Sequence, residues 1–405
     1  MKKRHWGLPS VLAAALMAWL PPGFAQTNSP LRQGFDAAWA RQPEQRAAAM
    51  RHEAAAAHLA AARRWTPEPP ALEVSARTDR LHRNDGTREY DATLAVPLWL
   101  PGERSRAEGV AKAETTALDA RLAAARWRLA AEVREAYWAH RRALVEQGLA
   151  QQRLATARQI SADVARRVKA GDLSRADGHQ AEAAAAAAQG TMAEADAVLV
   201  HAAQAWTTLT GQPPAGEGSE PRPPAEPPGE HPTLREWQSR SELARRHKDL
   251  ASVQTRPNPE LTLGAGQERG SVAERYGQTV TVGIRIPLGS SSASRGRQAQ
   301  AGAELIEAET QLELQTQRLG SQIEAARARV QALEAAQAAA EQRAALARES
   351  RGFFDQSFRA GESDLPTRLR IELEAFEAER QAQRARIEVD AAVSQLRQAL
   401  GLLPE

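Results

Sequence analysis

The feature that most constrains this chain is a repeat of itself. Pro67 recurs as Pro257, Pro69 as Pro259, the Pro97-Leu98 pair as Pro287-Leu288, Gly171 as Gly361, Gly211 as Gly401 and Pro214 as Pro404. From Pro67 onward every offset is 190 residues; ahead of it the spacing slips to 189, between Pro43 and Pro232. One duplication at so long a period means two copies of a single unit rather than a solenoid of many. The copies meet at "GQPPAGEGSEPRPPAEPPGEHP", residues 211–232, a Pro/Gly/Glu-rich linker with neither helix nor strand periodicity, expected to be extended.

Each copy has the same internal order. Residues 26–210 hold a helical tract over about 31–65, a strand pair over 71–98 and a helical hairpin whose tip lies near 171. Residues 233–405 hold a helix over about 233–255, a strand pair over 259–288 and a hairpin with its tip near 361. Leu305, Leu312, Leu319, Ile323, Val330 and Leu333 follow coiled-coil spacing, as do Leu122, Leu129, Val133, Tyr137 and Leu144 in the first copy. A helix of about 70 residues spans roughly 105 Å. The helix after each glycine break and the one before each strand pair sum to about that length. They are therefore expected to stack end to end alongside the long helix, with the glycine at one extremity of a rod and the strands at the other.

The strand segments alternate. Leu72 and Val74 share one face of the first, and Tyr90, Leu94 and Val96 one face of the second. Leu261 and Leu263 do so in the third, and Val280, Val282, Ile284 and Ile286 in the fourth. Segments of about 8–11 residues match a tilted strand crossing a bilayer. Four strands cannot close a barrel, and open edges are not tolerated in lipid, so strands spanning a membrane must be pooled among several chains. The alternative is two amphipathic hairpins covering a water-soluble core.

The first 25 residues read as a secretory signal peptide: Lys2, Lys3 and Arg4, an apolar run from Val11 to Leu20, and a small-residue cleavage site ending at Ala25. Without that segment the basic and acidic residues balance at 50 each, which offers nothing to nucleic acid. The absence of cysteine leaves no disulfide and no cysteine for a lipid anchor. The histidines have no metal-ligand spacing, and His52 and His58, six apart, point from different helix faces. Gly264, Gly266 and Gly270 lack the spacing of a phosphate loop, and close strand packing accounts for them. No nucleophile and base stand at a catalytic spacing, so no enzyme and no cofactor are expected. Trp99 fits either a packed corner or an interfacial anchor.

Taken together, the chain resembles the TolC family of outer-membrane efflux proteins, including its CzcC-like branch. The resemblance covers essentially the whole chain after the signal. It rests on the duplicated order of helix, strand pair and helical hairpin, on "RPNPELTLGAG" opening one strand pair, and on "VPLWLPGERSRAEG" closing another. It rests also on the first tip, where Gly171 is followed by Ser174 and Asp177. The fold it implies is mainly α with a small β part. Long helical hairpins would continue into a four-strand contribution to a shared transmembrane β-barrel, with an internal two-fold repeat. It further implies a homotrimer in the outer membrane with a large periplasmic part. That trimer would be a passive exit duct whose tips dock a periplasmic adaptor (membrane fusion) protein serving an inner-membrane pump, for cargo such as heavy-metal cations or drugs. The tip residues so implied are Gly171, Leu173, Ser174, Asp177, Gly361, Ser363, Asp364 and Leu365. In the second tip Asp364 and Thr367 stand where the pattern has Ser and Asp. Asp355, Glu362 and Asp364 are the candidate gate charges. The competing reading is a periplasmic coiled-coil scaffold or adaptor without a pore.

Overall fold

Proline decides where the helices begin. The computed structural model describes residues 29–82, 84–225, 229–289 and 292–405, so the signal-peptide reading and Ser290 and Ser291 lie outside the described residues. Helix α1 (Pro30–Arg41) starts at a proline, with the Ser29 side chain accepting from the Arg32 amide at 3.2 Å. The single tract expected over 31–65 is in fact two helices, because Gln42 is extended and Pro43 opens α2 (Pro43–Ala62). A proline at the first helical position has no amide to lose but cannot continue a preceding helix. Next come strands β1 (Ala71–Thr78) and β2 (Arg88–Pro97), the long helix α3 (Glu103–Ala170) and its return, α4 (Arg175–Thr210). The second copy supplies α5 (Pro232–Val253), β3 (Glu260–Arg269), β4 (Gly277–Arg285), the long α6 (Ser292–Ala360) and α7 (Leu365–Ala399).

At 68 and 69 residues, α3 and α6 are each about 100 Å long. Helices α2 and α4 both pack along α3, and α5 and α7 both pack along α6, as the length matching required. Helix α3 is also packed on its second-copy side by α5 and α7, which joins the two copies. Helix α6 packs on α5 and α7, and its other side presents Ile306, Leu314, Leu346 and Phe353 to solvent.

The largest buried cluster lies where α1, α3, α4 and α7 meet. It contains Phe35 of α1, Leu129, Val133, Tyr137 and Trp138 of α3, Trp206 of α4 and Ile387 of α7. Scarce aromatic residues are concentrated here, with Tyr137 edge-on to Trp138 at 5.1 Å and 5.9 Å from Trp206. Trp206 lies directly over Gly34, where an added Cβ would come within 2.2 Å of its ring.

The linker is extended, and it is also fastened. Glu220, whose side chain is 1% exposed, takes a bidentate pair from Arg134 of α3 at 2.7 and 2.8 Å and a third bond from Arg397 of α7 at 3.2 Å. Arg397 also donates to the Pro221 carbonyl and Arg134 to the Leu402 carbonyl. The Tyr137 hydroxyl donates to the Gly218 carbonyl at 2.6 Å, and the Gly218 amide donates back to that hydroxyl at 3.0 Å. The linker is thus a strap across both copies. Removing one member of a buried ion cluster leaves the others uncompensated, typically costing about 3–5 kcal/mol. Glu220→Ala, which strips Arg134 of its buried carboxylate and leaves Arg397 only the exposed Glu405 as an ionic partner, is expected to lower the thermal unfolding midpoint by circular dichroism. An unchanged midpoint would mean the strap carries no stability.

Candidate functional site: an uncovered sheet and two helical tips

The four strands form one antiparallel sheet in the order β1-β2-β3-β4. Its registers set the two faces. Leu72, Val74 and Ala76 oppose Leu94, Ala92 and Tyr90; Leu94 and Val96 oppose Leu263 and Leu261; Leu261, Leu263 and Ala265 oppose Ile284, Val282 and Val280. All the apolar positions named from the sequence within the strands therefore share one face, continuous over four strands, with Ile286 next in the same alternation. Leu72 is 69% exposed and Val280 83%. Among the described residues, no helix packs across either face. The opposite face carries Glu73, Ser75, Arg77, Asp91, Thr93, Thr262, Thr281 and Arg285, with Arg77 paired to Glu89 at 3.0 Å.

The registers also correct the repeat. Leu94 and Ile284 are equivalents at offset 190, yet Leu94 pairs with Leu72 and Ile284 with Leu261, which are 189 apart. The gapless offset expected beyond Pro67 fails in β1, because Pro70 is an extra residue in the first copy. A strand displaced by one residue would turn Leu72 and Val74 to the polar face, so the pleat absorbs the insertion before pairing begins.

Aromatic side chains mark both borders of the sheet. On the helix side Trp65 is 92% exposed, and the half-buried Trp99 donates its indole N–H to the Arg64 carbonyl at 3.2 Å, which fixes it beside the turn after α2. On the loop side Tyr90 and Tyr276 lie 6.5 Å apart. The glycines noted in β3 serve close packing: a Cβ on Gly266 would meet Asp91 and Thr279 at 2.6 and 2.8 Å.

At the far end, both hairpins turn by one device. Gly171 and Gly361 take left-handed φ values of 89° and 80°. In each, the glycine amide donates back three residues and the next amide donates back five, Asp172 to Arg167 and Glu362 to Ser357, closing the helix end. The returning helices start differently. Ser174 caps the Asp177 amide while the Asp177 carboxylate accepts from the Ser174 amide, a reciprocal box. In the second copy Asp364 alone caps the Thr367 amide, at 3.1 Å.

The structure brings both tips into one small core of Ile160 and Val164 (α3), Ala181 (α4), Phe358 (α6) and Leu365 (α7), with Leu173 packed against it. Leu365 is 1% exposed, which corrects its expected place on a docking surface: at the first position of α7 it points inward and holds the tips together. Ser363 is half-buried. Phe358 sits between the guanidiniums of Arg167 and Arg368, 4.8 and 4.7 Å from its ring centre. Asp355 is taken up by Arg359 at 2.7 Å and Arg368 at 2.6 Å, so among the candidate gate charges it is already neutralised. Glu362 and Asp172 remain exposed. His52 and His58 both reach acids of α3, Asp119 at 3.6 Å and Glu114 at 3.1 Å, so the two faces expected for them converge on one neighbour.

Residues 35–212 match the sequence profile described as "Outer membrane efflux protein". A curated relative, the cobalt-zinc-cadmium resistance protein CzcC of Cupriavidus metallidurans, is 31% identical over 223 residues, a stretch that spans 50% of this chain and 50% of that relative's length. The outer membrane protein VceC of Vibrio cholerae superposes with a TM-score of 0.76 at 20% identity, covering 93% of this chain and 97% of that one. The MtrE outer membrane channel of Neisseria gonorrhoeae, solved in an open state, superposes with a TM-score of 0.70 at 18% identity, covering 92% and 89%. This chain has the fold of these outer membrane channels. It resembles the outer membrane efflux proteins in sequence over its first copy and in fold over nearly its whole length.

The carboxylate of Asp364 is held below the usual range by the Thr367 side chain and then by the Thr367 amide. A carboxyl whose folded pKa is depressed stabilises the fold above its ordinary pKa and loses that contribution as pH falls through the lower folded value. Protection of the amides at the start of α7, taken relative to their unstructured exchange rates at the same pH, should therefore hold at neutral and mildly acidic pH and fall only below the ordinary aspartate range. Asp364→Ala should lose that protection already at pH 7, and full protection in that variant would refute the cap.

Proposed function

We propose that this protein is the outer-membrane channel of an efflux system, a passive duct built from three copies of the chain. One observation carries this reading: a four-stranded antiparallel sheet with a continuous apolar face and a polar opposite face that, among the described residues, has two unpaired edges and no helix over it. Such a sheet fits neither water nor lipid alone. In water the apolar face would be left bare, and in lipid the edge amides and carbonyls would be unsatisfied. Three copies supply twelve strands, an even number, and β1 and β4 run antiparallel, so each outer edge can accept the next copy's. Ten residues at about 3.3 Å each, tilted near 45°, give a band about 23 Å tall, close to the apolar height of such barrels. The aromatic residues at both borders stand where interfacial girdles form.

The unpartnered side of α6 supports the same reading, since a neighbouring copy would cover Ile306, Leu314 and Leu346. The helices then form the walls of a periplasmic tube about as long as α3. At its end, exposed tip positions, Asp172, Ser174, Glu362 and Asp364 among them, are available to a periplasmic adaptor protein, and the inner-membrane partner would supply the energy. The CzcC likeness makes heavy-metal cations the first cargo to try. A duct leaves the choice of cargo to its pump.

Cell fractionation followed by native mass measurement tests this. The expected result is recovery from the outer membrane as a detergent-requiring trimer. Recovery from a periplasmic extract as a soluble monomer would favour the scaffold reading and end the duct. In an assembled trimer, reversing both Asp172 and Glu362 to lysine is expected to reduce efflux while leaving trimer yield unchanged, and unchanged efflux would rule these positions out as adaptor contacts.

A further inference from the structure

The two outer strands can be matched to each other residue by residue. Resting on the reading of a barrel shared among copies, we infer that β4 of one copy pairs with β1 of the next in a single register. In that register Arg285 lies opposite Glu73, Val282 opposite Ala76 and Ile284 opposite Val74. The chain already contains the template, because β2 and β3 join its two copies as β4 and β1 would join two molecules. In that internal seam Val96 opposes Leu261, Leu94 opposes Leu263 and Ala95 opposes Thr262. The registers of the two hairpins relate β2 to β4 by 190 residues and β1 to β3 by 189. Carrying the internal seam over by these offsets places Ile286 opposite Leu72, Ile284 opposite Val74, Arg285 opposite Glu73 and Thr281 opposite Arg77.

Two independent features agree with that register. The first is parity. A slip by one residue would set every apolar side chain of β1 against the polar side of β4, so only even displacements survive. The second is charge, which separates the register from its nearest even neighbours. Shifting by two residues one way puts Arg285 opposite Ala71 and Glu73 opposite Gly283; the other way puts Arg285 opposite Ser75 and Glu73 opposite Pro287. Only the inferred register sets the acid against the base. Glu73 makes no hydrogen bond or ion pair among the described residues, and Arg285 reaches Glu260 within its own chain at a long 3.5 Å, with its side chain still 78% exposed. Both are on the polar face, so their pairing across the seam would repeat three times around the lumen.

The uniform offset of 190 would have predicted a different seam. It sets Ile284 opposite Glu73, an apolar residue facing lipid against an acid facing the lumen. The extra residue at Pro70 is what restores the match, so this irregularity of the repeat serves assembly as well as pairing within the single chain.

The chain has no cysteine, so introduced pairs can be read without background. Oxidative cross-linking in isolated membranes would compare Ala76→Cys/Val282→Cys and Arg77→Cys/Thr281→Cys, adjacent pairs of which one falls at a non-hydrogen-bonded site, with the displaced pairs Val74→Cys/Val282→Cys and Thr78→Cys/Val282→Cys. Directly opposed Cβ atoms lie about 4.5–5.5 Å apart against roughly 7–8 Å on the diagonal, so at least one in-register pair should link several-fold more efficiently into dimers and trimers on a non-reducing gel. Dominant linking by a displaced pair, or no linking by any pair in protein whose native mass is trimeric, would overturn the register and leave the duct standing. A monomeric native mass would overturn the duct with it. As a second readout, Glu73→Arg and Arg285→Glu should each lower the thermal dissociation midpoint of the trimer, and the double variant should restore it. Failure of the double variant to recover would reject the charge pair.

Discussion

Backbone hydrogen bonding at the two edges of one small sheet governs this molecule. Thirty-seven residues in four strands present an apolar face that no helix among the described residues covers, bounded by two strands whose outer edges pair with no described strand. A soluble protein normally blunts such an edge with charge, proline or a covering helix. Here the edge strands instead carry alternating side chains with the same handed faces as the inner strands. That is what a sheet needs if it is to be continued by another of its kind. The requirement propagates outward, because a closed barrel fixes where each chain's helices must start around a ring.

The helices answer that requirement with unequal roles. Helix α3 is packed on both sides and fastens its own copy to the other, while α6 keeps one apolar side free. An Ala-rich chain gives such helices narrow seams, so the bulky aromatic residues are spent at one level, where α1, α3, α4 and α7 meet. The strap lies at that level too. Glu220 reaches across from the linker to Arg134 and Arg397, one from each copy, and the buried carboxylate is satisfied from both sides. Burying three charges is expensive unless each is matched, and it leaves little freedom in how the copies sit against each other. The strap therefore works less as a source of stability than as a fixed distance between two long helices.

Much of this was legible in the residues. Prolines and glycines punctuate the repeat, alternation identifies the strands, and the apolar face read from single segments is the face the registers assemble. Three things were hidden, each for a physical reason. The break at Pro43 follows from local chemistry but was masked by alanine on both sides. The slip at Pro70 was present as a conflict: adding 190 to Leu72 gives Thr262, not a leucine, and parity alone would have exposed it. The inward turn of Leu365 had no local signal, because its counterpart Arg175 is exposed at the first position of α4 and only the packing of two hairpins decides which points inward.

That packing also decides what the tips can offer. Two hairpins turning by the same glycine geometry would be free to swing independently, yet their ends share a core, and Phe358 is held between a guanidinium from α3 and one from α7. Arg368 serves twice, on the ring and on Asp355. A movement that separated the hairpins would strip the ring of Arg167 alone, because Arg368, Asp355 and Arg359 all belong to the second hairpin and would stay paired. The charged groups of the second tip therefore move as one unit, and what parting the tips costs is the shared apolar core and one of the two cations on the Phe358 ring.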